Sequence, residues 1–209
     1  MNEIKTSELF KVEGSSCVYN EVLKYNYPWE IVPKIKEIIM EKVKELDRKE
    51  YEITDTGAYI SRLAKVDSSA KIIGPAIICP YAEIRHGAYI RKNAIIGKNA
   101  VVGNSTEIKN AILFDNVQVP HFNYVGDSIL GYKVHFGAGV IASNLRSDKK
   151  LIKIGKLETG LKKLGAIVGD LTEVGCNSVL CPGAIVGRGS VIYPLKMVRG
   201  VLMSDTVYK

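Results

Sequence analysis

Residues 60–108 read ISRLAKVDSSAKIIGPAIICPYAEIRHGAYIRKNAIIGKNAVVGNSTEI, and every sixth residue of this stretch is isoleucine or valine. The repeated positions are Ile60, Val66, Ile72, Ile78, Ile84, Ile90, Ile96, Val102 and Ile108. A period of six fits neither an α-helix, which repeats about every 3.6 residues, nor a hairpin strand that alternates and then reverses. It is typical of a chain that turns a corner every six residues, so that successive turns stack their aliphatic side chains into columns.

The repeat continues toward the C-terminus with two shortened steps and one interruption. After Ile108 the step shortens to Leu113, and it shortens again to reach Leu130. A second regular run consists of Val168, Val174, Leu180, Val186 and Ile192. Between the two runs, residues 144–164 are polar and rich in lysine. The sequence therefore predicts an all-β protein with a parallel β-helix over residues 58–209 and a basic loop at 144–164.

Residues 1–57 have a different pattern. The apolar residues after Pro33 are Ile35, Ile38, Ile39, Val43 and Leu46, and they share one face of a helix whose other face carries Lys and Glu. One amphipathic helix of about four turns is predicted here. We expect residues 1–57 to form a cap over the open end of the β-helix.

Composition limits the partners of the 209-residue chain. With 46% hydrophobic and 24% charged residues the chain has an ordinary globular composition, and its net charge of +7 favours anionic partners such as phosphorylated small molecules. Basic and aromatic residues do not interleave as in a nucleic-acid platform, so no nucleic acid is expected. The N-terminal residues are unlike a signal peptide, and no apolar stretch of about 18 residues occurs, which predicts a cytoplasmic protein without a membrane partner.

The cysteines give no sign of a metal centre. Cys17, Cys79, Cys176 and Cys181 form no CxxC pair and no cluster with histidine, so we expect reduced thiols and no metal.

Residues 121–144 interrupt the regular repeat and read HFNYVGDSILGYKVHFGAGVIASN. With RHGAYI at 85–90, NSTEIKNA at 104–111 and the two repeat runs, this segment resembles the acetyltransferase domain of the bifunctional N-acetylglucosamine-1-phosphate uridyltransferases, especially the archaeal type. The resemblance covers roughly residues 58–195. Hexapeptide repeats of this family imply left-handed winding and a homotrimer with active sites between neighbouring subunits.

The resemblance assigns the general base to His121. An imidazole with an ordinary pKa near ~6.5 can accept the proton that an amino-sugar nitrogen loses when it attacks a thioester. The family's acyl contacts fall on Ala138, in a Gly-Ala-Gly corner whose backbone N–H groups can approach an oxyanion closely. Asn144 matches an asparagine that contacts the acceptor and the acyl group in the family.

The resemblance also implies binding residues for the two substrates. The expected sugar-phosphate contacts are Arg85, Lys109, Tyr124, His135, Lys149 and Lys150. The expected contacts of the co-substrate acetyl-CoA are Ala138, Gly139, Gly169, Cys176, Ser178 and Ala184. Arg85 can grip a phosphate with two parallel hydrogen bonds, whereas Lys109 acts as a point charge. His135 stands where the bacterial family has a sugar-contacting asparagine, which leaves the identity of the sugar open.

The sequence thus predicts an acetyl-CoA-dependent N-acetyltransferase that acts on an amino-sugar phosphate, first of all glucosamine-1-phosphate, without a metal. Galactosamine-1-phosphate or a nucleotide-linked amino sugar stays open as the acceptor. The glycine-rich start of the uridyltransferase half is not present, so a separately encoded nucleotidyltransferase is a possible partner. The second interpretation is a non-catalytic protein that binds or regulates sugar-nucleotide synthesis. A γ-type carbonic anhydrase is disfavoured because His86, His121 and His135 lack that family's spacing of five residues.

Overall fold

The computed structural model describes residues 4–209 and contains a parallel β-helix of about eight turns. Each complete turn places short strands on three flat surfaces, here called face 1, face 2 and face 3. The chain passes through face 1, then face 3, then face 2 before it begins the next turn. The predicted fold class, a left-handed parallel β-helix with a short N-terminal helical segment, is confirmed.

Successive turns pair strand on strand, in parallel, on every face. Face 1 contains Ala58–Ser61, Ala76–Ile78, Ala94–Ile96, Ile167–Val168, Ile185–Val186 and Val201–Leu202, with the second halves of Glu107–Leu113 and Tyr124–Leu130. Face 2 contains Lys71–Ile72, Tyr89–Ile90, Ile141–Ala142, Val179–Leu180 and Met197–Val198, with the first halves of the same two long strands. Face 3 contains Lys65–Val66, Glu83–Ile84, Val101–Asn104, Gln118–His121, His135–Phe136, Glu173–Val174, Val191–Ile192 and Val207–Tyr208.

The six-residue column of the sequence forms the interior of the β-helix. Ile78, Ile84 and Ile90 are almost completely buried, as are their equivalents in the following turns. Val66 is 39% exposed, because its strand lies in the first turn and pairs with a neighbour on one side only. The interior therefore consists of stacked β-branched side chains, as the period predicted.

Two consecutive turns in the middle of the β-helix are each one residue shorter than the full turns that precede the pair. Ala76 pairs with Ala94 in a turn of full length, whereas Ala94 pairs with Ala111 across a turn that lacks one residue. The following turn is equally short. In the short turns a single residue, Asn110 or Asp127, makes the corner between face 2 and face 1, with φ of 48° and 50°. Asn and Asp accept this left-handed conformation more readily than other side chains do.

The N-terminal segment, residues 4–50, lies along face 1 rather than over the open end of the β-helix. Its helices are Thr6–Leu9, Tyr19–Leu23 and Ile35–Lys42, with 3₁₀ turns at Pro28–Glu30 and Val32–Lys34. The rings of Phe10 and Phe114 are 4.9 Å apart. Asp170 Oδ2 accepts hydrogen bonds from the backbone N–H groups of Lys11 at 2.7 Å and Val12 at 3.0 Å. None of the helices within residues 4–209 is long and apolar enough to cross a membrane.

This position differs from the predicted cap, and the physical reason is the outer surface of face 1. The outward side chains Ile77, Ile95, Ile112 and Ile129 are fully buried, although residues next to them on the same strands fill the interior. A strand that is apolar on both sides needs a second covering layer. Strand Tyr51–Ile53 pairs antiparallel with Ala58–Ser61 and covers that first strand's edge. Residues 1–3 of the predicted cap lie outside the described residues.

Replacing Ile95 with Ala should lower the free energy of unfolding by about 2–5 kcal/mol, because the change leaves a cavity between face 1 and the N-terminal segment. The matched control is Ile53→Ala, which removes the same atoms from an exposed position on strand Tyr51–Ile53 and should cost clearly less. Denaturant titration measures both values. Equal losses would show that the N-terminal segment does not cover face 1 in solution.

Candidate active site

The edge between face 3 and face 2 brings several of the predicted site residues into one column. Asn104, His121, Ala138 and Cys176 occupy the same position in four consecutive turns. The column is joined by backbone hydrogen bonds, from Gly139 N–H to His121 O at 3.0 Å and from Asn177 N–H to Ala138 O at 2.8 Å. We call this column the His121 edge. Its strands stack about 4.8 Å apart, so His121 and Ala138 are direct neighbours.

The His121 side chain is exposed, and its backbone is held firmly. The buried amide of Asn123 accepts a hydrogen bond from His121 N–H at 3.1 Å and donates one to Gly137 O at 2.8 Å. Asn123 thereby ties the His121 corner to the Gly-Ala-Gly corner of the next turn. Within the described chain the imidazole itself makes no hydrogen bond to protein. Both ring nitrogens are therefore free for a ligand.

One backbone N–H of the Gly-Ala-Gly corner has no protein acceptor. Gly137 N–H donates to Val174 O at 2.7 Å, and Gly139 N–H donates to His121 O. Among residues 4–209 no acceptor pairs with the N–H of Ala138. An oxyanion at this corner would therefore take its hydrogen bond from Ala138 and not from the two glycines.

Face 2 carries a second cluster, centred on a carboxylate that the sequence reasoning missed. Asp127 is 5% exposed and accepts hydrogen bonds from Asn110 Nδ2 at 2.8 Å, from Lys109 Nζ at 3.2 Å and from Asn144 Nδ2. A buried carboxylate is stable only when such partners neutralise and solvate it. The Asp127 cluster therefore fixes Lys109 and Asn144, two of the predicted site residues. In the sequence, this cluster could have been recognised from the polar residues Asn110 and Asp127 at the single-residue corners of the two short turns.

Tyr124 completes this cluster. Its hydroxyl lies beside the amide of Asn144, and burial together with the nearby carboxylates of Glu107 and Asp127 raises the pKa of its phenol. The hydroxyl therefore stays protonated at neutral pH. A Cβ placed on Gly126 would come within 2.5 Å of the Tyr124 hydroxyl and 2.9 Å of Asn144 Nδ2. Glycine at 126 thus makes the room in which these two side chains meet.

Arg85 and His135 lie on face 3, away from the Asp127 cluster. Arg85 Nε donates to Glu83 Oε1 at 2.8 Å, beside the His121 edge but two turns nearer the N-terminus. His135 Nδ1 is 2.8 Å from Glu173 Oε2, in a cavity of about 360 Å³. Within one chain, four of the six predicted sugar-phosphate residues therefore divide between two faces that meet at the His121 edge.

The basic loop is an ordered insertion at the edge between face 2 and face 1. Leu145 and Lys163 form an antiparallel bridge at its base, and Lys153–Ile154 pairs with Leu157–Glu158 in a small hairpin. The buried side chains of Ile152 and Ile154 pack near Gly183 on the β-helix. The loop and face 2 enclose a cavity of about 490 Å³.

The cations of this cavity are not the predicted ones. Arg146, Lys153 and Arg199 line it, with Arg146 paired to Asp148. Lys149 and Lys150 are exposed and do not border it. Arg199 lies beyond Ala184, the last of the expected acetyl-CoA contacts along the sequence.

The predicted coenzyme contacts do not all come together. Ala138, Gly139 and Cys176 lie at the His121 edge, and Ser178 follows them but is buried, with its hydroxyl donating to Tyr193 O at 3.1 Å. Ala184 lies at the edge between face 2 and face 1.

Gly169 lies at the third edge, between face 1 and face 3. A Cβ on it would be 2.7 Å from Arg188 N, so close stacking of turns explains that glycine.

The described chain offers no metal centre. Residues 4–209 contain no group of three His, Cys, Asp or Glu side chains that could hold a metal ion.

Stacked hexapeptide turns and a polar edge define a hexapeptide-repeat protein. Residues 72–206 match the family model described as the GMPPB C-terminal domain, and the chain belongs to this family. Bifunctional protein GlmU of Methanococcus maripaludis is 39% identical over 107 residues, which is 49% of this chain and 26% of that protein. A bifunctional sugar-1-phosphate nucleotidylyltransferase/acetyltransferase of Sulfurisphaera tokodaii is 37% identical over 92 residues, 42% of this chain and 23% of that protein. These relatives confirm the resemblance drawn from the sequence.

The chain spans about a quarter of the length of these curated relatives. Among solved structures, the acetyltransferase domain of PglB from Neisseria gonorrhoeae overlaps 76% of this chain and 57% of its own, at 15% identity and a TM-score of 0.37. PerB from Caulobacter crescentus, in complex with CoA and GDP-perosamine, overlaps 71% of this chain and 51% of its own, at 19% identity and a TM-score of 0.34.

Replacing Asp127 with Asn should lower the free energy of unfolding by about 1–3 kcal/mol, because the buried donors of Lys109 and Asn144 lose their charged acceptor. Asp205→Asn is the matched control, since Asp205 has the same left-handed conformation, with φ of 57°, at an exposed corner. It should change stability by less than about 0.5 kcal/mol. A similar loss in both variants would mean that backbone conformation, and not the cluster, accounts for the effect.

Proposed function

We propose that the chain is an acetyl-CoA-dependent N-acetyltransferase of the hexapeptide type, acting on an amino-sugar phosphate with His121 as general base. The observation that carries the proposal is the His121 edge. An exposed imidazole and the free N–H of Ala138 lie on adjacent turns of one corner, joined by the hydrogen bond from Gly139 N–H to His121 O. The match to the Sulfurisphaera tokodaii relative, which is named as a sugar-1-phosphate nucleotidylyltransferase/acetyltransferase, supports the reaction type.

The reaction requires a base for the acceptor nitrogen and a hydrogen-bond donor for the carbonyl oxygen, on opposite sides of the reacting carbonyl. The acceptor nitrogen attacks the thioester carbon and loses its proton to His121. When the carbon–sulfur bond breaks, His121 returns that proton to the sulfur, and coenzyme A leaves as a thiol. The N–H of Ala138 stabilises the oxyanion that forms in between. The protonated Tyr124 hydroxyl and the amide of Asn144 would orient the acceptor on face 2.

Lys109 gives the acceptor site a positive charge, although Asp127 offsets part of it. Arg91 and Lys92 border the adjacent cavity of about 450 Å³, and Arg91 is paired with Glu107. With Lys109 and Arg91 paired to carboxylates, Lys92 is left as the excess charge of this groove, and it favours an anionic acceptor such as a sugar phosphate. Coenzyme A, also an anion, would lie toward Arg146, Lys153 and Arg199 in the cavity beneath the loop.

A homotrimer would complete the site. Arg85 and His135 on face 3 point away from Lys109 and Tyr124 on face 2 of the same chain. Face 1 is covered by the N-terminal segment, so faces 2 and 3 are the surfaces left for contact between copies. Packing face 3 of one copy against face 2 of the next around a threefold axis would bring both sets of residues to one groove.

A panel of amino-sugar phosphates, incubated with acetyl-CoA and followed by release of free thiol, tests the proposal directly. Glucosamine-1-phosphate is the first acceptor, followed by galactosamine-1-phosphate and nucleotide-linked amino sugars. Acceptor-dependent thiol release from an amino-sugar phosphate supports the proposal. If only nucleotide-linked amino sugars react, the proposed acceptor, an amino-sugar phosphate, is wrong. If no acceptor causes release of free thiol, the proposal of catalysis is wrong.

Replacing His121 with Ala should lower turnover by about 10² to 10⁴, because general-base catalysis contributes in that range, while acetyl-CoA binding stays nearly unchanged. His86→Ala is the control, since it removes an exposed imidazole from the same edge two turns away. Steady-state kinetics and calorimetry give the two values. Retention of full activity in the His121 variant would remove its catalytic role.

Replacing Arg85 with Ala should mainly raise the KM for the acceptor, because a phosphate contact made equally in the ground state and the transition state affects binding more than turnover. Arg62→Ala, at an exposed arginine of the first turn, is the matched control. Initial rates at varied acceptor concentration separate KM from kcat. An unchanged KM would place Arg85 outside the site.

A non-catalytic role is the second candidate, because the description of the matching family names a C-terminal domain and no reaction. In that case the chain would bind a sugar nucleotide and act on a separately encoded nucleotidyltransferase. Thermal shifts distinguish the two functions: acetyl-CoA should stabilise the enzyme, whereas stabilisation by UDP-sugars alone would favour the non-catalytic role.

A further inference from the structure

A pair of cysteines joins the N-terminal segment to the β-helix, outside the candidate active site. Cys17 precedes helix Tyr19–Leu23, and Cys79 follows strand Ala76–Ile78 on face 1. The two sulfur atoms are 3.5 Å apart, although the residues are 62 positions apart in the sequence. A disulfide has an S–S length of about 2.05 Å, so a side-chain movement of roughly 1.5 Å would join them. Within residues 4–209, no third side chain that could bind a metal lies beside these two cysteines.

The two thiols have different surroundings. Cys79 is buried, and its hydrogen bond to Cys17 together with burial raises the pKa of the Cys79 thiol well above its ordinary value. Cys17 is partly exposed and borders a cavity of about 320 Å³. A small reagent can therefore reach Cys17 first, while Cys79 is shielded behind it.

The cavity beside Cys17 is acidic. Glu13, Glu21 and Glu45 line it with a single cation, Lys42, which is 2.8 Å from Glu45. The pairing of Lys42 with Glu45 leaves Glu13 and Glu21 as the excess charge. A cationic reagent should therefore be favoured over an anionic one at this site.

We propose that Cys17 is a thiol–disulfide exchange site that accepts small cationic disulfides, and that Cys79 converts the mixed disulfide into an intramolecular Cys17–Cys79 bond. In the first step the Cys17 thiolate attacks one sulfur of the reagent, and the other half leaves as a thiol. In the second step Cys79 loses its proton to solvent and attacks the Cys17 sulfur, which releases the second thiol. In total two protein thiols are oxidised and one reagent disulfide is reduced to two thiols.

This bond would fasten the N-terminal segment to face 1. The cross-link closes a loop of 62 residues between the segment and the second turn of the β-helix. Such a loop restricts the unfolded chain strongly, so the oxidised protein should melt several degrees (about 5 °C or more) above the reduced one. The proposal is independent of the acetyltransferase reaction.

The test uses cystamine, a cationic disulfide, and dithiodipropionate, its anionic aliphatic counterpart, on the whole folded protein. Peptide mapping without reduction should find a Cys17–Cys79 cross-link after cystamine treatment. The rate of Cys17 modification, divided by the rate at which free cysteine reacts with the same reagent, should be at least about tenfold higher with cystamine than with dithiodipropionate. Equal ratios would overturn the preference for cationic disulfides.

Variants separate the two steps. In Cys79→Ala the cysteamine adduct should persist on Cys17, and in Cys17→Ser neither the cross-link nor modification of Cys79 should appear. Both variants are first compared with the unmodified protein by circular dichroism, and Cys79→Ser replaces Cys79→Ala if the latter is misfolded. A persistent adduct on Cys17 of the natural sequence, without a cross-link, would overturn the role of Cys79. An unreactive Cys17 would overturn the whole proposal.

Discussion

The hydrogen bonds between successive turns of the β-helix are the constraint on which the rest of the structure depends. Because every strand pairs with its equivalent one turn later, each position along the sequence is carried to a fixed column on a fixed face. Side chains that are one full turn apart in the sequence become direct neighbours. The candidate site is a consequence of this register, since strand pairing brings His121 and Ala138 from successive turns to the same edge.

The interior and the length of most turns could be predicted from the sequence, because β-branched residues at every sixth position have few other interpretations. The last turn, where Ile185 pairs with Val201, is two residues shorter than a full turn and was not predicted. The two shortened steps were also visible before Leu113 and Leu130, and they correspond to the two shorter turns. The position of the N-terminal segment was not predicted. An amphipathic pattern shows that one side of the helix is buried. It does not show which part of the protein covers that side. The missed signal was the pair of adjacent isoleucines in strands such as Ala76–Ile78 and Ala94–Ile96, which need cover on both sides.

The site was predicted unevenly, and the reasons are physical. His121, Ala138 and Cys176 fall in one column because register alone decides their neighbours. Lys149 and Lys150 could not be placed, since a loop that leaves the repeat no longer follows its register. Asp127 was missed because a corner Asp reads as a turn residue. Only the three-dimensional structure shows that it is buried and that three side chains donate to it.

Register brings an imidazole and one unpaired backbone N–H to the same edge, and we propose that these two groups catalyse acyl transfer. An experimental structure of the protein with bound acetyl-CoA tests it most directly. We expect the thioester oxygen within hydrogen-bond distance of Ala138 N, with the His121 ring facing the reacting carbon from the adjacent turn. A thioester bound on another edge, or an Ala138 N–H already occupied by a protein acceptor, would contradict it.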